Sequence, residues 1–137
     1  MSEVTNSTEQ TTETSKADDQ MVTTRVMYLL LRKDLETNLK WPIGALCTQA
    51  SHSATAICWI HRNDPDVMAY FNDLEHMHKV TLSVESEERL KEMAQRLEAA
   101  NVQHHVWIED GIPTCIAIKP QCRSQLKSLL GRLPLYK

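Results

Sequence analysis

From Arg25 to Arg32 (RVMYLLLR) every interior position is apolar. A run of that kind predicts a strand covered on both faces, and with it a layered α/β protein. After a polar loop holding Trp41-Pro42, residues 44 to 61 (GALCTQASHSATAICWIH) are rich in alanine and other small side chains, which suit a helix packed closely on a sheet. Asp64-Pro65 reads as an N-cap followed by a first-turn proline, with Val67, Tyr70, Phe71 and Leu74 spaced i, i+3, i+4, i+7 behind it; this predicts a short second helix. Lys79 to Val84 (KVTLSV) alternates with period two and predicts a strand. Ser86 caps the next helix, whose first turn carries Glu87 and Glu88 and whose stripe is Leu90, Met93, Ala94 and Leu97, ending near Asn101.

Two short strands follow, His104 to Ile108 and Thr114 to Ile118, joined by a tight turn at Glu109-Asp110-Gly111. A C-terminal helix is expected to start with Pro120 at its first position and to carry Leu126, Leu129, Leu130 and Gly131. The order β-α-α-β-α-β-β-α predicts a single three-layer α/β/α domain with a four-stranded mixed sheet. Neither an internal repeat nor a linker divides it.

The first twenty residues contain almost nothing to bury, so ordering them would cost entropy without hydrophobic compensation. They are expected to be a disordered acidic tail, and residues 21–137 the folded domain. The chain has 15 Lys plus Arg against 18 Asp plus Glu. The tail takes one base, Lys16, and five acids, Glu3, Glu9, Glu13, Asp18 and Asp19. The remaining body is close to neutral, so cations matter for an anionic partner only where they cluster.

Composition removes several function classes. The three glycines, Gly44, Gly111 and Gly131, are far apart, and neither a Walker A loop nor a dinucleotide-binding turn can be built from them. Four cysteines (Cys47, Cys58, Cys115, Cys122) stand in a chain that opens without the apolar core of a signal peptide, so they are read as reduced thiols. The longest apolar run, Val26 to Leu31, falls far short of the roughly 20 residues that span a bilayer. A soluble, cytoplasmic protein with no membrane partner is expected.

Six histidines (His52, His61, His76, His78, His104, His105) raise the question of a metal, but no ligand spacing of the CxxC or HxxxH kind occurs, and no metal is expected. Cys58 and His61, three residues apart, are the one local thiol and imidazole pair; thiols on a sheet-packed helix are better read as small core residues.

Gln49 and His52 lie three apart near the start of the helix that follows the first strand, where ligands of open α/β sheets commonly bind. A ligand-facing pair and a satisfied buried polar pair are both compatible with that position. Asp110 can orient water or simply fill its turn beside Gly111. Lys119, Arg123 and Lys127 recur every four residues, and the last nineteen residues hold no acid. On a helix beginning at Pro120 they would form a ridge for phosphates.

One stretch, Trp41-Pro42-x-Gly44-Ala45-Leu46-x-x-Gln49-x-Ser51-His52-x-Ala54-Thr55-Ala56, resembles the type II peptidyl-tRNA hydrolases of archaea and eukaryotes, most closely the branch of peptidyl-tRNA hydrolase domain-containing proteins. Arg32-Lys33-Asp34-Leu35, Trp107-Ile108-Glu109-Asp110, Thr114 to Ile118 with Pro120, and the ending Leu133-x-Leu135-Tyr136-Lys137 extend the likeness over roughly residues 24 to 137. The resemblance implies hydrolysis of the ester joining a peptide to tRNA, without metal or cofactor. It places catalytic roles on Gln49, Asp110 and Thr114 and supporting roles on Gly44 and His52; the basic ridge of Lys119, Arg123 and Lys127 would then hold the tRNA phosphates. The expected partner is tRNA or peptidyl-tRNA, and a homodimer stays open.

Two features depart from the family pattern. Ala45 stands where the motif has lysine, and the loop that brings an earlier threonine is missing between Asp110 and Thr114. Loss of one preorganised charge donor typically costs on the order of 10² to 10³ in rate. The expectation is therefore a weakened hydrolase, with a noncatalytic RNA- or protein-binding module on the same fold as the alternative.

Overall fold

The computed structural model describes residues 24–137; the expected tail, residues 1–20, lies outside them. Strand β1 (Arg25–Arg32) runs parallel to β2 (Lys79–Val84) on one side and antiparallel to β4 (Ile112–Ile118) on the other, and β4 pairs antiparallel with β3 (His104–Glu109). The order across the sheet is β2-β1-β4-β3, so the wholly apolar β1 is central, as its composition requires.

Alternation along β1 divides the core in two. Met27, Leu29 and Leu31 pack with Leu46 and Ile57 of α2 (Ile43–Ile60) and with Tyr70 of α3 (Pro65–Phe71). Leu30 packs on the other face with Leu90, Met93 and Leu97 of α4 (Glu87–Ala99). Helices thus cover both faces, which is the expected three-layer arrangement.

Local signals set the helix starts. The Asp64 carboxylate accepts from the Asp66 amide at 2.8 Å, ahead of Pro65, and the Ser86 hydroxyl accepts from the Arg89 amide at 3.1 Å; each satisfies a donor that the first turn leaves open. Buried Leu46, Gln49, Ser53 and Ile57 fall on one face of α2, with two polar residues among them.

Three segments differ from the sequence expectation. The loop after β1 contains a further helical turn, α1 (Asp34–Thr37), anchored by the fully buried Leu35. Helix α3 ends at Phe71, because Asp73 leaves helical geometry (φ −130°, ψ 80°), and Leu74 falls in a separate 3-10 turn, Leu74–His76, where it is exposed. The expected helix from Pro120 does not form. Gln121–Cys122 instead make a fifth strand, β5, pairing with Arg25 and Val26 at the start of β1. A 3-10 turn (Arg123–Gln125) and a four-residue α5 (Lys127–Leu130) follow. Backbone pairing to β1 satisfies groups that a lone helix would have left on the sheet edge.

The chain ends along the outer edge of β2. The Ser83 amide donates to Pro134 O at 2.9 Å, the Tyr136 amide to Thr81 O at 3.0 Å, and Leu135 bridges Leu82. The tail is clasped to α1: Tyr136 Oη donates to Glu36 Oε2 at 2.6 Å, and Lys33 Nζ, 4.3 Å from the centre of the Tyr136 ring, reaches both Glu36 and the Lys137 carbonyl. Lys33 and Tyr136 together hold the Glu36 carboxyl below its ordinary value.

Candidate active site

Where β1 ends, Arg32 is buried and forms a two-pronged pair with Asp34, Nε to Oδ1 at 3.0 Å and Nη2 to Oδ2 at 2.8 Å. Its remaining nitrogen, Nη1, donates to Pro113 O at 2.9 Å. A planar guanidinium can satisfy both at once, and it fixes the start of β4 beside the end of β1.

Next to Pro113, the β3–β4 ladder is irregular. Trp107 faces Cys115 and Ile108 faces Pro113, so Thr114 is the extra residue of a bulge. A bulge breaks strict alternation and re-aims a side chain. Cys115 packs in the core beneath α2, and Thr114 also turns to α2, where its Oγ1 donates to Gln49 Oε1 at 2.9 Å. Gln49 is 4% exposed and Thr114 0%. The Gln49 carbonyl oxygen is thereby held, while its amide nitrogen has no partner among the described residues and is not sealed from solvent. That group is an N–H donor held in place by the bond to its own carbonyl oxygen.

Beyond Gln49, the β3 face toward α2 carries His105, Trp107 and Glu109. The His52 ring stacks on Trp107 with centroids 4.4 Å apart and planes 18° from parallel, and His105 lies 6.4 Å from the same indole. Trp107 Nε1 donates to Glu109 Oε2 at 2.8 Å. Burial, followed by the charge of His104, pushes the His105 pKa below its ordinary value. Deeper in, Ser53 Oγ lies 3.4 Å from Cys115 O, and burial pushes the Cys115 thiol up to about 12.

Asp110 occupies the tip of the β3–β4 hairpin. It and Gly111 have φ of 48° and 82°, the left-handed pair that two-residue hairpin turns need. The Asp110 side chain is exposed and makes no hydrogen bond or ion pair among the described residues. Gly111, Ile112 and Pro113 separate it from Thr114, at most roughly 13 Å of chain. Gly44, in the first turn of α2, is exposed, and no protein atom stands within 4 Å of where a Cβ would sit. Ala45 lies one helical turn before Gln49, hence on the same side of the helix.

The three basic positions do not share one helix. Lys119 is 9% exposed and its ammonium binds Asp64 at 2.9 Å and Asp66 at 3.4 Å. Arg123 and Lys127 are exposed on successive turns of the C-terminal segment, with Arg123 Nη2 3.4 Å from His78 Nε2. The four-residue period came from the sequence alone; β5 and the 3-10 turn interrupt it.

The structure therefore joins Gln49 to Thr114 and seats His52 on Trp107, leaves Asp110 apart at the turn tip, and brings in Arg32, Trp107 and Glu109, to which sequence reasoning gave no role. Period-two alternation from His105 would have placed Trp107 and Glu109 together; nothing local signals that Arg32 binds Pro113. Among the described residues no three His, Cys, Asp or Glu side chains are grouped so as to hold a metal ion, and no helix is long and apolar enough to cross a membrane.

Comparison with known proteins gives this geometry a context. The sequence model of the family described as Peptidyl-tRNA hydrolase PTH2 matches residues 25–136. The chain is 42% identical over 115 residues to the mouse protein named "Putative peptidyl-tRNA hydrolase PTRHD1", covering 82% of each chain. The human protein of the same name matches at the same identity and coverage. The match spans every element from β1 to the C-terminal clasp, and the chain belongs to the PTH2 family of peptidyl-tRNA hydrolases.

Proposed function

We propose that the protein is a weak peptidyl-tRNA hydrolase that cleaves the ester between peptide and tRNA by attack of water. The observation that carries this reading is the buried Thr114 to Gln49 hydrogen bond, which holds the Gln49 carbonyl oxygen and leaves its amide N–H unpaired among the described residues. A donor held in place before reaction stabilises the oxyanion that forms when water adds to the ester carbonyl. Gln49 positions and polarises that carbonyl. Thr114 is committed to holding Gln49, so its part is orientation. Asp110 takes one proton of the attacking water and returns it to the ribose oxygen as the ester C–O bond breaks. Reaching the ester requires the hairpin tip to lie over the substrate.

The stacked His52 and Trp107 form an aromatic surface beside this donor, suited to a nucleobase near the ester. Arg123 and Lys127 supply exposed charge for tRNA phosphates, whereas the Lys119 ammonium is already held by Asp64 and Asp66. No metal or cofactor enters the proposed chemistry, and the cytoplasm, where translation yields peptidyl-tRNA, is the proposed location.

The second reading, a noncatalytic tRNA- or protein-binding module, is favoured by Ala45 in place of a cation and by Asp110 making no hydrogen bond to Gln49 or Thr114. A single-turnover assay with enzyme in excess over labelled peptidyl-tRNA separates the two. The hydrolase reading expects slow cleavage by the wild type and faster cleavage by Ala45→Lys. Binding without cleavage in both leaves the module.

A further inference from the structure

The last turns of α2 and the segment from α3 to β2 leave large apolar side chains in water: Trp59 is 67% exposed, Met68 60%, Phe71 39% and Met77 37%. Scattered singly they would mean nothing. Trp59, Phe71 and Met77, however, surround one depression of about 460 Å³ whose floor includes Met27, Ala54 and Val67. That volume falls within the roughly 300–1,000 Å³ of small-ligand pockets. The depression lies further along α2 than the candidate active site: Ala54 in its floor is five residues beyond Gln49 and Cys58 in its wall nine, about 7 and 13 Å along the axis.

Lys79, the first residue of β2, closes one side. Among the described residues no carboxylate faces its ammonium. It donates to the Met77 sulfur, lies 5.2 Å from the centre of the Tyr70 ring, and neighbours the Cys58 thiol. A thioether is a weak acceptor. Burial lowers the Lys79 pKa and raises that of Cys58, so the thiol is neutral at pH 7 and offers no counter-charge. The other cation lining the depression, Arg62, is placed over the Trp59 ring at 4.4 Å and donates to Trp59 O at 2.9 Å. The positions of charge and apolar surface are thus complementary to a molecule with one anionic end and one apolar end.

We propose that this depression binds a small amphipathic carboxylate, with an aryl or branched alkyl group between Trp59, Phe71 and Met77 and its carboxylate on Lys79 Nζ. An ion pair with the Lys79 ammonium gives the site its selectivity for acid over amide, and the aromatic walls give it affinity.

The test titrates the full chain, labelled for amide NMR, with 4-phenylbutyrate and with its neutral amide. The acid should bind saturably and shift the resonances of Cys58, Trp59, Phe71 and Lys79. Lys79→Met, which keeps the apolar stem, should weaken the acid about tenfold or more and the amide by less than about twofold; Lys79→Arg should retain the acid. Equal binding of acid and amide, shifts confined to the Gln49 end, or no saturation by about 10 mM would overturn the proposal. So would a concentration-dependent dimer abolished by Trp59→Glu, which would assign this face to a second copy of the chain.

Discussion

Thr114 and Gln49, 65 residues apart in sequence, share a buried 2.9 Å hydrogen bond that the β3–β4 bulge makes possible. Thr114→Val keeps the shape and removes the donor, leaving the Gln49 carbonyl unsatisfied. The expected loss is about 1–3 kcal/mol of stability, together with a fall in cleavage on the order of 10² to 10³ as the amide loses its fixed direction. Thr114→Ser should retain both. Urea denaturation and single-turnover cleavage check the pair, and a destabilised variant with undiminished cleavage would remove Gln49 from the reaction.

Asp110 is the proposed base, and its neighbour Glu109 accepts from Trp107 Nε1. Asp110→Asn should be tolerated by the fold to within about 0.5 kcal/mol, because asparagine also accepts the left-handed conformation; cleavage should disappear. Glu109→Gln keeps an oxygen for Trp107 Nε1 and should cut cleavage far less. The reverse ranking in a single-turnover assay would transfer the role of base to Glu109.

The Lys119 ammonium holds the Asp64 carboxyl below its ordinary value, against a smaller upward push from burial. A depressed folded-state pKa adds stability above the unfolded value, near 3.9, and loses it as pH falls through the folded one. Lys119→Met should therefore lower the denaturation midpoint at pH 7 and flatten the loss of stability below roughly pH 4. A variant that melts with the wild-type acid profile would show that this ion pair contributes nothing.

Binding of tRNA should separate the three basic residues. Arg123→Gln and Lys127→Gln should each reduce the salt slope of affinity by about 1. Lys119→Met should leave it unchanged, since its charge is already balanced. Affinity measured across a salt series decides this, and an equal effect of all three would mean that Lys119 leaves its carboxylates for phosphate.

Deletion of residues 134–137 removes the partners of the Ser83 amide and the Thr81 carbonyl and opens the edge of β2. A fall in Tm of at least about 4 °C is expected for each kcal/mol lost, with aggregation through the freed edge. Scanning calorimetry with light scattering checks both.

Local chemistry determined much of this protein without help from tertiary contacts. The apolar run of β1, the alternation of β2, the Asp64-Pro65 and Ser86 starts and the Asp110-Gly111 turn each depend on residues a few positions apart, and such energies are readable along the chain. That Gln49 and His52 share a helix was legible too, but the structure sets them at the seventh and tenth of the 18 residues of α2, in mid-helix, with α1 between that helix and β1. The tertiary structure alone decided that Thr114 breaks alternation to meet Gln49, that Arg32 ties β1 to Pro113, and that His52 stacks on Trp107. It also decided that Gln121–Cys122 continue the sheet where a proline and spaced leucines promised a helix. There the pairing of β5 with β1 outweighed a weak local preference, and it carried Lys119 to Asp64 and Asp66, away from the ridge its spacing suggested. Contacts between residues tens of positions apart depend on which surfaces the packed sheet brings together, and a one-dimensional pattern carries no term for that.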